Sequence, residues 1–117
     1  MSSNGRITVH RQFDNARVVL SGDFDIIESN QLIELSTQLF TELTATVEVD
    51  MGEVTFFGSR AIVGLMHLRN EVDRHSGAEL RISRCSHRVS RVLEVSGVID
   101  LFAFGPSRVA AELSEVA

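Results

Sequence analysis

Ser59 is the residue whose surroundings most invite chemistry. In the stretch VTFFGSRAIVGL (54–65), its hydroxyl stands between Gly58 and Arg60, where an apolar strand runs into a second apolar segment of helical spacing. A serine at a helix start predicts an N-cap, its oxygen accepting a backbone N–H two or three residues on and contributing about 1 kcal/mol. The same place suits an anion. The positive helix end and its free N–H groups would stabilise a phosphate on Ser59, and Arg60 would pair with it if its side chain turned that way. Phosphorylation would add nearly two negative charges in one step. Gly58 allows a sharp turn or the close approach of another backbone. No general base lies beside Ser59 in the sequence, so nothing local makes it a nucleophile.

The acidic stretch GDFDIIESN (22–30) places Asp23 and Asp25 on one side of an extended segment. They read either as a polar turn leading into a helix cap or as charge presented to a partner. His10, His67, His75 and His87 are dispersed, with no i, i+4 pair, and no divalent-ion loop is present, so no metal site is expected. Cys85 reads as a core or strand-end thiol. There is no phosphate-cradling Gly-rich motif ending in Lys-Ser or Lys-Thr and no GxSxG elbow, so neither an enzyme nor a cofactor is indicated.

The elements that must position these residues follow from periodicity. ITVHRQF (7–13) alternates, ARVVLSG (16–22) is β-branched, and Asp14-Asn15 between them offers a tight turn, which predicts a hairpin. From Glu28 the period changes: Leu32, Leu35, Leu39 and Leu43 share one helix face, widened by Ile33 and Phe40. TVEVD (46–50) returns to strand chemistry. Ala61, Leu65, Leu68 and Val72 make a second helical stripe, ending near His75-Ser76-Gly77. Leu80 to Ser83 is a short strand. Ser86 caps a helix carrying Val89, Val92 and Leu93 that stops at Gly97, and Phe102 to Phe104 is a minimal strand. Pro106 opens a last helix with Val109, Leu113 and Val116 facing inward. This alternation predicts an α/β domain with a mixed or largely parallel sheet.

With 117 residues, 44% of them hydrophobic, the chain fits one compact domain spanning 1–117. The polar Met1 to Asn4 start does not suit a secretory signal, and no apolar run approaches the ~20 residues of a spanning helix, so a cytoplasmic protein without membrane insertion is expected. A single cysteine excludes an internal disulfide. The net charge of −5 speaks against direct nucleic-acid binding; Arg81, Arg84, Arg88 and Arg91 cluster without interleaved aromatics and read as a solvated face.

Three segments, in order and spacing, resemble the STAS family, specifically the small bacterial anti-sigma factor antagonists. LSGDFDI (20–26) is similar to that family's strand ending in Gly-Glu-x-Asp, with Asp25 on its Asp and Asp23 where Glu is usual. DMGEVTFFGSRAIVGLMHL (50–68) resembles its central strand, loop and helix, and SHRVSRVLEVSGVIDLF (86–102) the segment ending in a Leu-x-x-x-Gly turn. The resemblance implies a single STAS-like domain: a mixed sheet of four to five strands with about four helices packed mainly on one face. It also implies function by binding an anti-sigma factor that is a serine kinase, with release of a sigma factor and with Ser59 at the phosphorylated position. Asp23, Asp25, Gly58, Ser59, Arg60 and Ala61 are the implied partner surface. Where the family reads Asp-Ser-Ser/Thr-Gly, this chain reads Gly58-Ser59-Arg60-Ala61. Two other readings stay open: a non-phosphorylated STAS subunit of a signalling or transporter complex, including a homodimer, and a nucleotide-binding STAS regulator using the Ser59 helix end.

Overall fold

A computed structural model of the chain describes residues 4–39, 44–75 and 77–105. Five strands, β1 (Arg6–Gln12), β2 (Asn15–Phe24), β3 (Thr46–Phe57), β4 (Glu79–Cys85) and β5 (Ala103–Phe104), form one sheet in the order β1-β2-β3-β4-β5. Three α-helices, α1 (Ile26–Gln38), α2 (Ser59–Asp73) and α3 (His87–Val95), join β2 to β3, β3 to β4 and β4 to β5, the last with a 3-10 turn at Ile99–Leu101. β1 is antiparallel to β2, and every other pair is parallel. The expected helix from Pro106 falls outside the described residues, as do Phe40 and Leu43.

Topology places the helices. Three successive parallel crossovers step in the same direction across the sheet, and right-handed crossovers of that kind put all three helices on the same face. Burial agrees: Val18, Leu20, Val47, Val49 and Ile82 of the sheet share one core with Leu32 and Leu39 at α1, Leu65 and Leu68 of α2, and Val89 and Leu93 of α3. The stripes legible in the sequence are the ones that pack, with Leu35 and Val92 partly buried at the margins. Ser86 caps α3 as expected, its Oγ accepting the Val89 N–H at 3.3 Å, and Gly97 follows the helix with a φ of 76°.

Two expectations are corrected. The hairpin loop is Phe13-Asp14, closed by the Gln12↔Asn15 pair, with Phe13 in the left-handed region at φ 55°. Asn15 belongs to the strand because its Oδ1 accepts the Thr46 hydroxyl at 2.6 Å, tying β2 to β3. The second correction concerns β3, which continues from Thr46 through Gly52 to Phe57 as one strand of twelve residues. Its register against β2 slips twice, between Val19 and Ser21 and between Gly22 and Asp23. Each bulge inserts a residue and flips the alternation, so the buried apolar positions run Val47, Val49, Met51, then Val54, then Phe57. Because β4 pairs with β3 only as far as Met51, residues 52–57 of β3 stand beyond β4, bordered by β2 alone.

Candidate functional site

The end of this β2–β3 overhang carries the residues singled out by the sequence. Phe24 and Phe57 are register partners, both buried, with rings stacked at 6.5 Å between centroids and 18° between planes. The Gly58 N–H donates to the Phe24 carbonyl at 2.8 Å, holding the two strand ends together. Each strand then turns into a helix: Asp25 is the N-cap of α1 and Gly58 the N-cap of α2. Two positive helix ends therefore lie side by side, each equivalent to roughly half a unit charge.

Asp25 occupies the space between them. Its backbone N–H donates to Glu28 Oε1 at 3.0 Å, which fixes the first turn of α1 and accounts for a glutamate only 2% exposed. A Cβ at position 58 would lie 2.4 Å from Asp25 Oδ1. Gly58 thus permits a close approach, as expected, but the group approaching is a side-chain carboxylate rather than a backbone, and no sharp turn is involved: its φ of −75° and ψ of 167° are extended.

Ser59 is not the cap. Gly58 holds that position, Ser59 is the first helical residue, and no side chain caps α2. A side chain at this place points away from the N–H groups one turn ahead, so the capping geometry is lost. Among the described residues the Ser59 hydroxyl has no hydrogen-bond partner, and the residue is exposed. Arg60 is exposed too, without an ion-pair partner among the described residues; its side chain borders a cleft of about 70 Å³ with Ile26, Ser29, Asn30, Ile33 and Val63, on the α1 side. Ala61 is fully buried and packs in the core, so it is not part of the exposed surface.

Asp23 and Asp25 play separate roles. Asp23 is exposed in β2, where its carboxylate accepts the Thr55 hydroxyl at 2.8 Å and its N–H donates to Asn4 Oδ1 at 2.8 Å. The Arg81 to Arg91 cluster also divides. Arg81 pairs with Glu79 at 2.9 Å, and Arg84 with Glu53 at 3.2 Å and Asp50 at 3.6 Å, whereas Arg88 and Arg91 stand exposed on α3 with no ion pair among the described residues. Cys85 ends β4, and burial pushes its thiol up to about 11, so it is protonated at neutral pH.

Sequence reasoning missed the exposed apolar residues around Ser59. Ile26, Ile27, Phe56 and Val63 are each roughly half exposed. Their signal was available: Ile26, Ile27 and Val63 are apolar positions that fall off the buried stripes of α1 and α2. No cluster of three or more potential metal ligands exists among the described residues, and no helix among them is long and apolar enough to cross a membrane.

A mixed sheet in sequential strand order with its helices on one face is the architecture of a STAS-type domain. The chain belongs to that family: the family profile described as "Mlab, STAS domain" matches residues 7–103. No curated protein sequence matches it. Among solved structures it is similar to an anti-sigma factor antagonist from Mycobacterium paratuberculosis, with 18% identity over 95% of this chain and 93% of that one and a TM-score of 0.72. It is also similar to the anti-sigma factor antagonist SpoIIAA in its unphosphorylated form (16% identity, 96% and 98% covered, TM-score 0.73). The Bacillus cell fate determinant SpoIIAA in the phosphorylated form matches with 14% identity, 93% and 99% covered, and a TM-score of 0.68. These likenesses establish the fold.

Proposed function

We propose that this chain is a regulatory protein-binding domain, an anti-sigma factor antagonist that binds an anti-sigma factor with serine kinase activity and so releases a sigma factor. Its partner surface is the end of the molecule where α1 and α2 begin, with Asp23, Asp25, Ser59 and Arg60 as polar contacts, Gly58 as the residue that lets Asp25 approach, and Ile26 and Val63 as the apolar ones. Ser59 is the phospho-acceptor. The observation that carries this reading is the state of its hydroxyl: exposed, free of a capping duty, and set beside two positive helix ends.

The charges make the switch sharp. The two helix ends supply about one positive charge together, and the Asp25 carboxylate already offsets it. A phosphate carrying nearly two more negative charges leaves Arg60 as the nearest uncompensated cation. A partner that accepts a neutral hydroxyl would then face a desolvated excess of negative charge, and the complex would dissociate.

The test is native co-purification of the wild-type, Ser59→Ala and Ser59→Asp proteins from the source cells, with phosphate at Ser59 mapped by mass spectrometry across growth and stress. An ATPase-type kinase retained by the wild type and Ser59→Ala, and weakened at least tenfold by Ser59→Asp, is the expected result. A persistently bare Ser59, together with a partner indifferent to Ser59→Asp, overturns the phosphate switch. That outcome supports a second reading, a STAS subunit constitutively held in a larger assembly, which the Asp25 carboxylate beside Gly58 favours because it opposes a new anion there.

A further inference from the structure

Beside the Ser59 surface, the overhanging end of β3 and the helix α3 enclose an open groove of about 400 Å³. Phe56 and Phe57 form one wall, Val92 and Val95 the other, and Arg88 and Arg91 stand at its rim. Phe56 is 48% exposed and Val95 77%, although Val89 and Leu93 on the adjoining, core-facing side of α3 are fully buried. Toward the groove the helix therefore adds Val95, which the described core leaves exposed, to Val92, which packs at the core's margin. Arg17, Arg69, Arg74, Arg81 and Arg84 each meet a carboxylate; Arg88 and Arg91, like Arg6, Arg11 and Arg60, meet none among the described residues, but these two alone share one helix and line one groove.

We propose that this groove takes an acidic amphipathic helix of a protein partner. Arg88 and Arg91 are one turn apart, about 4.5 Å along the axis, the spacing of two carboxylates at i and i+3 or i+4 on a facing helix. Each guanidinium can hold a carboxylate through two parallel hydrogen bonds. The apolar strip of the incoming helix would cover Phe56, Val92 and Val95. The groove is also continuous with the surface assigned above, because its Phe56-Phe57 wall leads directly into Gly58 and Ser59. A partner seated on Ser59 over a standard footprint of about 800 Å² would reach it. The proposal rests on the partner-binding reading of this end, but on neither the partner's identity nor a phosphate.

The test is selection of a phage library displaying random twelve-residue peptides on the full chain, with counter-selection on Arg88→Glu/Arg91→Glu. Both residues are exposed, and circular dichroism checks that the variant folds. Enriched peptides should combine acidic and apolar residues at helical spacing, shift the amide resonances of Phe56 and Val95, and lose at least tenfold in affinity for the double variant. Their affinity should be unchanged by Ser59→Asp, so a failed phosphate switch leaves this result standing. Absence of enrichment, peptides without acidic residues, or binding unmoved by arginine reversal overturns the proposal. Arginine-dependent sedimentation with phosphatidylglycerol vesicles, without peptide enrichment, overturns it in favour of an anionic membrane surface.

Discussion

At position 58 the backbone is extended, a conformation any residue adopts, so its glycine answers to space and not to dihedral angle. The space belongs to Asp25, whose Oδ1 lies 2.4 Å from where a Cβ would be. Restoring an acidic residue before Ser59 by Gly58→Asp should therefore destabilise the fold, by about 1–3 kcal/mol, through overlap and like-charge repulsion. Asp25→Ala alone should cost about 1 kcal/mol as a lost cap. In the double variant the two effects should fall short of their sum by more than about 0.5 kcal/mol, since the second change removes the group that the first collides with. Urea denaturation of the four proteins checks this; simple additivity would show that the close approach is not why position 58 is glycine. The sequence displays Asp25 and Gly58 separately, and nothing in local periodicity joins them. Only the Phe24↔Phe57 register brings them together.

The helices show what periodicity does and does not reveal. Leu32, Leu65, Leu68 and Val72 were legible as inward stripes because helix spacing is a local property. The contact between α1 and α2 was not: Gly64 and Ser29 meet at a crossing set by the sheet, and a Cβ on Gly64 would lie 2.8 Å from Ser29 Oγ, 3.0 Å from its carbonyl oxygen and 3.1 Å from its Cα. Gly64→Ala should gain about 1 kcal/mol in helix propensity yet destabilise the protein by a net ~1–2 kcal/mol as the helices are pushed apart. Ser29→Ala should not rescue it, because two of the three close atoms are backbone. A lowered urea midpoint for Gly64→Ala with and without Ser29→Ala is the expected result; a midpoint raised by Gly64→Ala would show that the helices separate freely. Element boundaries failed for a related reason in β3, where two bulges break the alternation that identifies a strand.

Across the whole molecule, the sheet face turned away from the helices is polar and tied by charge. Asp50 projects from it yet is 1% exposed, because Arg17 at 2.6 Å and Arg84 at 3.6 Å close over it while its Oδ1 accepts the Gly52 N–H at 3.0 Å. Arg17 also reaches Glu48 at 3.3 Å, so this cluster links β2, β3 and β4 on the face opposite the core. Asp50→Ala should destabilise by about 2 kcal/mol, below the usual value for a broken buried pair because both arginines remain partly solvated. Thermal and urea unfolding check it. A loss below about 0.5 kcal/mol would make the cluster an ordinary surface ion pair.

The sequence by itself determined the alternation of strands and helices, the buried stripes, the Ser86 cap, the Gly97 stop and the family, because these depend on spacing within a few turns or on motif order along the chain. Tertiary structure decided the rest. It made Gly58 the cap and left Ser59 bare, buried Ala61, filled the space beside Gly58 with Asp25, and divided one run of arginines between a paired sheet face and an unpaired groove rim. Each of these outcomes depends on which distant residues the β2–β3 and β3–β4 registers bring into contact. A one-residue slip in register changes those partners and leaves every local pattern as it was.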